Sequence, residues 1–315
     1  MRHHRQRAEA FLYSTSNIAS STDVSASEVL TKDNWLALRE ECIARLEEPL
    51  RRIREQRRIG LKDPIADFLF EYYSLRPTQL AAWSPGCEVW LDGETVEPHF
   101  GRAPFEVVSG RTGIPATSFP RHRVRSLKWI LAVLRATNER RPFFGCAGLH
   151  EWAMVYGDQP VRHPQLPLRM SRSAINTLVD DQPVVCTHFD AFRFFTTAAQ
   201  PLNKHQPTAE SMIELEQPGC LHTNMDIYRW AGKLYPWIGS DVLADAFLFA
   251  LRIREVDMRA SPYDVTALGF QPICVETPEG RREYRDHQEG FHREGRVLRA
   301  RLIREAERLL ALTDT

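Results

Sequence analysis

The sequence is poor in most of the features that fix a protein's class at a glance. It has 6 cysteines in 315 residues, and none stands in a CxxC pair. That excludes the dense disulfide framework of a small secreted domain and gives no structural zinc knuckle, so reduced thiols in a cytoplasm are expected. No apolar run approaches the roughly 20 residues that span a bilayer, so no membrane partner is indicated. The amino terminus begins basic, MRHHRQR, but Ser, Thr and Asn interrupt its apolar residues, and it lacks the continuous core of a signal peptide. Net charge is absent too: 41 Lys+Arg balance 41 Asp+Glu, so no overall basic field marks nucleic acid as the partner, although a local basic face is compatible with neutrality. There is no internal repeat and no regular alternation of strand and helix.

What is present is a helical pattern. The 43% hydrophobic content suffices for a substantial core. Residues 1–28 are polar and Ser-rich and read as a flexible tail, leaving 29–315 as one mainly α domain, a helical bundle. From about Thr31, Trp35, Leu38, Cys42, Leu46, Leu50 and Ile53 recur at helical spacing, and the basic run RRIREQRRIG that follows reads as a solvated face. DPIADFLFEYYSL opens with Asp63 as a cap and Pro64 at the first helical position. Around EVWLDGETVE, Asp92-Gly93 suggests a small β-hairpin insertion near residues 86–98. Helices resume with RVRSLKWILAVLRATNE, LHEWAMVY and SRSAINTLV. They continue with MDIYRWAGKLY, SDVLADAFLFALRIREVDM and a charged terminal helix from about Pro278 to Leu312.

Three of the six cysteines precede a histidine by two or four residues: Cys146 and His150, Cys186 and His188, Cys220 and His222. A metal reading takes His150, His188 and His222 with Glu151, Asp190 or Asp226, a set suited to zinc or iron with an open coordination position. HEWAM, however, has Met154 where the zincin motif needs its second histidine. The alternative is core packing by cysteines beside hydrogen-bonded histidines. Asp190 and Asp226 sit among apolar and aromatic residues, where desolvation makes a carboxyl a candidate acid or base. Asp257, flanked by Arg254 and Arg259, reads as ion-paired. Trp152, Phe189, Phe192 and Tyr228 cluster in the same segments, as core or as the aromatic walls of a base pocket.

The segments DFLFEYYSLRPTQL, FGCAGLHEWAMVY, RHPQLPLR, CTHFDAFRFFT, EQPGCLHTNMDIYRWA and DMRASPYD resemble, over most of the chain from Pro64, a bacterial family of similar length labelled 3-methyladenine DNA glycosylase. The resemblance implies a hydrolase of DNA repair that releases alkylated purines without a cofactor. A cationic purine is already a good leaving group, so such an enzyme needs an aromatic box for the cation and a carboxylate for the developing oxocarbenium charge. Asp190 or Asp226 would be that carboxylate. Trp152, Phe189, Phe192 and Tyr228 would form the box, with His188 and His222 orienting the water or the phosphate. Arg121, His122, Arg123, Arg125 and Lys128 would supply a positive face for DNA. No helix-hairpin-helix is present: GIPATS matches poorly, and QPGC leads into a single helix. Two other functions fit the same residues: a zinc- or iron-dependent enzyme acting on a small molecule, and a non-catalytic binding protein.

Overall fold

The computed structural model describes residues 28–60, 63–95, 97–159, 161 and 166–313. The tail expected over residues 1–28 therefore lies outside the described residues, except for Glu28. Helix dominates, as the periodicity predicts. α1 (Lys32–Arg58) buries Trp35, Cys42, Leu46, Leu50 and Ile53 along one stripe and continues through Pro49. Leu38, read as part of that stripe, is instead 48% exposed. Its basic end is solvated as expected, with Arg51 paired to Glu48 and Glu55. α2 (Ala66–Tyr73) starts two residues past Pro64. The N-cap is Ile65, not Asp63, but Asp63 Oδ1 accepts from the Ile65 and Ala66 N–H groups at 2.8 and 3.2 Å and fixes the turn that leads into the helix. α3 (Pro77–Ala81) follows.

The β structure differs from the expected hairpin at 86–98. That stretch contributes one strand, β2 (Val89–Leu91), which pairs in parallel with β1 (Glu28–Leu30) and antiparallel with β4 (Arg111–Gly113). The hairpin is formed by β3 (Glu106–Val108) and β4, and the sheet order is β1-β2-β4-β3. Ser109 and Gly110, both at positive φ, make its turn. Asp92-Gly93 serves another purpose. The Asp92 carbonyl accepts from Trp35 Nε1 at 3.1 Å, tying the sheet to α1.

The helical body comprises α4 (Val124–Glu139), α5 (Leu149–Ala153), α6 (Arg172–Asp181), α7 (Phe189–Phe192) and α8 (Met212–Leu215). It is completed by α9 (Leu221–Leu234), α10 (Ser240–Ala260) and α11 (Pro278–Thr313). α10 buries most of its length, from Val242 through Phe247 and Ile253 to Met258, and leaves Asp241, Asp245, Arg252 and Glu255 toward its outer side. α9 packs along it, α1 and α2 cover other sides, and α11 lies across α4, α9 and α10. At about 1.5 Å per residue α11 is roughly 54 Å long, enough to brace the whole body. Arg254 and Asp257 are the charged residues that α10 buries, and they face α5 and α9. No helix among the described residues is long and apolar enough to cross a membrane.

Candidate functional site

Two buried ionic clusters lie between α5, α7, α9 and α10. The first is built on the segment FGCAGLHEW. Ala147 and Gly148 both have positive φ, 48° and 77°, which turns the chain sharply so that Cys146 stands just ahead of α5. A Cβ on Gly148 would sit 3.4 Å from the Tyr284 ring and 3.5 Å from Ala260, so the turn is also tightly packed. Cys146 Sγ lies 3.1 Å from His150 Nδ1, and His150 Nε2 lies 2.9 Å from Asp257 Oδ1. Arg254 Nη1 donates to Asp257 Oδ2 and, at 2.9 Å, to Glu151 Oε1, while its guanidinium stacks 4.1 Å over Phe68. His222 closes the cluster, its ring 4.6 Å from that of His150 and its Nε2 3.8 Å from Asp257 Oδ2.

Protonation follows from these contacts. Burial would push the His150 pKa down, but the Cys146 charge and the hydrogen bonds to Asp257 and Cys146 outweigh it and hold the imidazole well above its usual value. The Cys146 thiol moves the opposite way: burial raises it, and His150 with the backbone N–H groups of His150 and Gly148 brings it below an ordinary thiol. His222 is driven well below the usual imidazole range by burial, with further contributions from His150, His188 and Arg254. Asp257 is lowered because His222, His150 and Arg254 overcome its burial, whereas Glu151 is raised by burial and by Asp257.

The second cluster joins α7 to α9. Arg229 Nη1 bridges Asp190 Oδ2 and Asp226 Oδ2, the latter at 3.0 Å. Tyr73 donates to Asp226 Oδ1 at 2.9 Å, and Arg193 Nε reaches Asp190 Oδ1 at 2.8 Å. His188 lies between carboxylates: Nδ1 is 2.7 Å from Glu216 Oε1 and Nε2 is 3.8 Å from Asp226 Oδ2. The first of these is an ion-pair contact only, because its direction does not satisfy a hydrogen bond and both atoms lack a hydrogen-bond partner. Thr223 donates to the other Glu216 oxygen. Burial lowers the His188 pKa, but Glu216 and Asp226 raise it to about 9. Asp226 is raised, chiefly by burial. The clusters adjoin, the His188 and His222 rings stacking at 5.4 Å.

The structure thus gathers the three predicted histidines with Glu151, Asp190 and Asp226. Of the three Cys–His pairs, only Cys146 and His150 bring thiol and imidazole together. Cys186 Sγ donates to the His188 carbonyl at 3.5 Å, and burial raises the Cys186 and Cys220 thiols. The CLH segment lies at a helix start, with Cys220 as the N-cap of α9. Asp257 pairs with Arg254 as expected but not with Arg259, which turns to Glu283, Glu255 and the Gln271 carbonyl. The four aromatic candidates are unequally placed. Trp152 is fully buried, its Nε1 donating to the Ala260 carbonyl at 2.9 Å and its ring 5.2 Å from the Arg169 guanidinium. Tyr228 is wedged between Tyr73 and Phe247, Phe192 packs on Phe195, and only Phe189 is half-buried.

Sequence reasoning missed Arg229, Glu216, Thr223 and Tyr73. For Arg229 a signal existed, since Asp226 and Arg229 stand three apart, one helical turn. Glu216 and Tyr73 reach the site only through the tertiary fold.

Could these groups hold a metal? His150, Glu151, His222 and Asp257 offer donor atoms within 4.8 Å of one another, as do His188, Asp190 and Asp226. In the first group both His150 nitrogens are engaged and Arg254 occupies both carboxylates, so an ion would have to displace a buried guanidinium; as folded, the group does not fit one. In the second, Arg229 bridges the two aspartates in the same way. No protein-family model, curated protein or solved structure matches the chain.

Proposed function

We propose that the chain is a DNA N-glycosylase that releases alkylated purines, with Asp190 and Asp226 as its working carboxylates. The observation that carries this reading is the bridge made by Arg229: two buried carboxylates are held by one guanidinium whose side chain keeps 24% exposure, beneath a cationic rim. Arg193, 46% exposed, grips Asp190 and stacks 4.5 Å over Phe194. Lys233 belongs to the same electrostatic neighbourhood. Its pKa is lowered by burial and by Arg229 and Arg123, against Asp226 and Asp190. Arg123, from the basic segment read as a DNA face, donates to the Lys233 carbonyl. Cations above and carboxylates below suit a polyanion whose reacting sugar becomes positive.

The chemistry asks little of the protein. An alkylated purine leaves without prior protonation, so the carboxylates need only stabilise the oxocarbenium-like sugar and orient a water. Backbone phosphates that draw Arg193 and Arg229 outward would uncover Asp190, the less buried of the two acids, while Tyr73 keeps Asp226 in place. The chemical logic is the one that the family resemblance implies.

Release of 3-methyladenine and 7-methylguanine from alkylated duplex DNA tests it. Asp190→Asn and Asp226→Asn are expected to lower release by roughly 100-fold, the scale of a lost electrostatic or acid–base group, and DNA binding is expected to weaken steeply with salt. A wild-type protein that releases no base, or folded Asn variants that release it at full rate, would overturn the reading. A second reading, a zinc- or iron-dependent enzyme of small molecules, rests on the donor atoms of His188, Asp190 and Asp226 lying within 4.8 Å, and requires the ion to displace the part-exposed Arg229 that bridges the two aspartates. Stoichiometric metal that survives dialysis and is lost in His188→Ala would replace the first reading with it.

A further inference from the structure

We infer that Cys146, His150 and Asp257 form a cysteine nucleophile centre, separate from the carboxylate pair, that takes acyl groups from small anionic esters. The geometry has the three parts such a centre needs: a nucleophile in reach of a base, and a third group fixing the base. Sγ and Nδ1 are 3.1 Å apart, and the far nitrogen of the same ring is 2.9 Å from Asp257 Oδ1. Asp257 is in turn clamped by Arg254. The sulfur stands on the tight turn at Ala147–Gly148, and the backbone of Gly148 and His150 contributes to lowering its pKa. The other titratable groups around it are Cys186, Cys220 and Tyr284, all driven upward by burial and so neutral, with Asp257 and Glu151 behind His150. His222, its ring 4.6 Å from that of His150, is the further imidazole of the cluster.

Substrate charge comes from an independent feature beside the turn that carries Cys146, whose own side chain is buried. Gly145 and Ala147, the neighbours of Cys146, line a surface depression of about 250 Å³, together with Gln182 and the α11 residues Arg281, Arg285 and Gln288. Gln288 is 1% exposed, and its Oε1 is buried without a hydrogen-bond partner while its Nε2 donates to the Gly219 carbonyl at 3.0 Å. Arg281, which also donates to the Val275 carbonyl at 3.0 Å, Arg285, only loosely paired with Glu289 at 3.4 Å, and the unpaired amide oxygen describe a pocket for an anion that also carries a hydrogen-bond donor.

The reaction balances with water alone. The thiol proton passes to His150 Nδ1 as Sγ bonds to the acyl carbon, and the bond from that carbon to the alkoxide breaks as His150 returns the proton to it. Water then adds to the thioester, loses a proton to His150, and expels the Cys146 thiolate, which recovers that proton. Asp257 touches no substrate. It is a positioning residue that keeps the ring in one orientation.

Alkylation of the intact protein, read by mass spectrometry cysteine by cysteine, tests this without knowledge of the natural ester. With iodoacetamide at pH 7, Cys146 is expected to react before the partly exposed Cys274, with a pH profile whose inflection lies below the ordinary thiol value. His150→Gln is expected to slow Cys146 by about tenfold, since a thiol of pKa near 8.5 is only a few per cent ionised at pH 7. Iodoacetate, the same electrophile with a negative charge, is expected to be preferred at Cys146, and the exposed change Arg285→Gln to lower that preference. Cys146 reacting no faster than Cys274, or with an ordinary profile, overturns the nucleophile. An iodoacetate preference that is absent, or unchanged in Arg285→Gln, overturns the anionic substrate. The wild-type profile needs no variant to fold, and neither result depends on base release, so this inference and the glycosylase reading fail separately.

Discussion

The two ionic clusters share a stacked pair of imidazoles but solve the burial of charge differently. Around Arg254 the solution is closed to solvent: Nη1, the two carboxylates and His150 pair with one another, the Arg254 side chain is only 2% exposed, and its Nε is buried without a hydrogen-bond partner. Around Arg229 it is open. The guanidinium and its neighbour Arg193 reach solvent, while His188 Nδ1 and Glu216 Oε1, deep in the cluster, lack hydrogen-bond partners. A closed network holds a nucleophile and its base in one geometry. An open one can exchange its cations for those of a ligand. The comparison therefore assigns rigidity to the Cys146 side and responsiveness to the Asp190 side.

The sharpest break is Arg254→Met. Removing the guanidinium shared by Glu151 and Asp257 leaves buried Glu151 without its cation and Asp257 with His150 alone, and a loss of about 3–5 kcal/mol is expected in denaturant unfolding. Next comes the pH dependence of His188. Its folded pKa of about 9 lies above the ordinary 6.5, so the stability it contributes is complete below pH 6.5 and disappears as pH rises through 9. The fall is expected to reach at most about 3 kcal/mol, since one pKa unit is worth about 1.4 kcal/mol. It should be blunted in His188→Gln, and a wild-type stability that stays level from pH 6 to 10 would contradict the ion pairing of His188. Arg229→Met is expected to cost less than Arg254→Met, about 1–2 kcal/mol, because Asp190 keeps Arg193 and water can replace the lost donor. Equal losses in the two arginine variants would erase the distinction between closed and open clusters.

How much of this was legible beforehand follows from the range of the interactions. The helices were, because apolar spacing is local: the stripe of α1 and the long helical segment SDVLADAFLFALRIREVDM of α10 stand in the sequence. The histidines, Asp190 and Asp226 were legible as candidates because polar residues interrupt aromatic segments. The strand pairing was not, since Asp92-Gly93 has hairpin chemistry while β2 instead pairs with β1, whose residues precede the whole of α1. Local turn preference yielded to a long-range partner. Nor was the difference among the three Cys–His pairs legible, because whether a thiol meets its imidazole depends on the turn at Ala147–Gly148, and no spacing rule encodes that.

The smallest expected effect is the most discriminating. The Tyr228 hydroxyl is buried without a hydrogen-bond partner, its ring held 5.6 Å from Tyr73 and 5.4 Å from Phe247, beside the open cluster. Leaving a hydroxyl unpaired in an apolar site costs free energy that its removal recovers, so Tyr228→Phe is expected to be neutral or stabilising by up to about 1 kcal/mol. Base release then tells what the hydroxyl is for. A variant that unfolds at the same or higher denaturant concentration but releases less purine means that the hydroxyl is kept unpaired for the substrate, the trade of stability for function expected at an open cluster. Unchanged stability together with unchanged release would confine the responsive part of the site to the arginine rim.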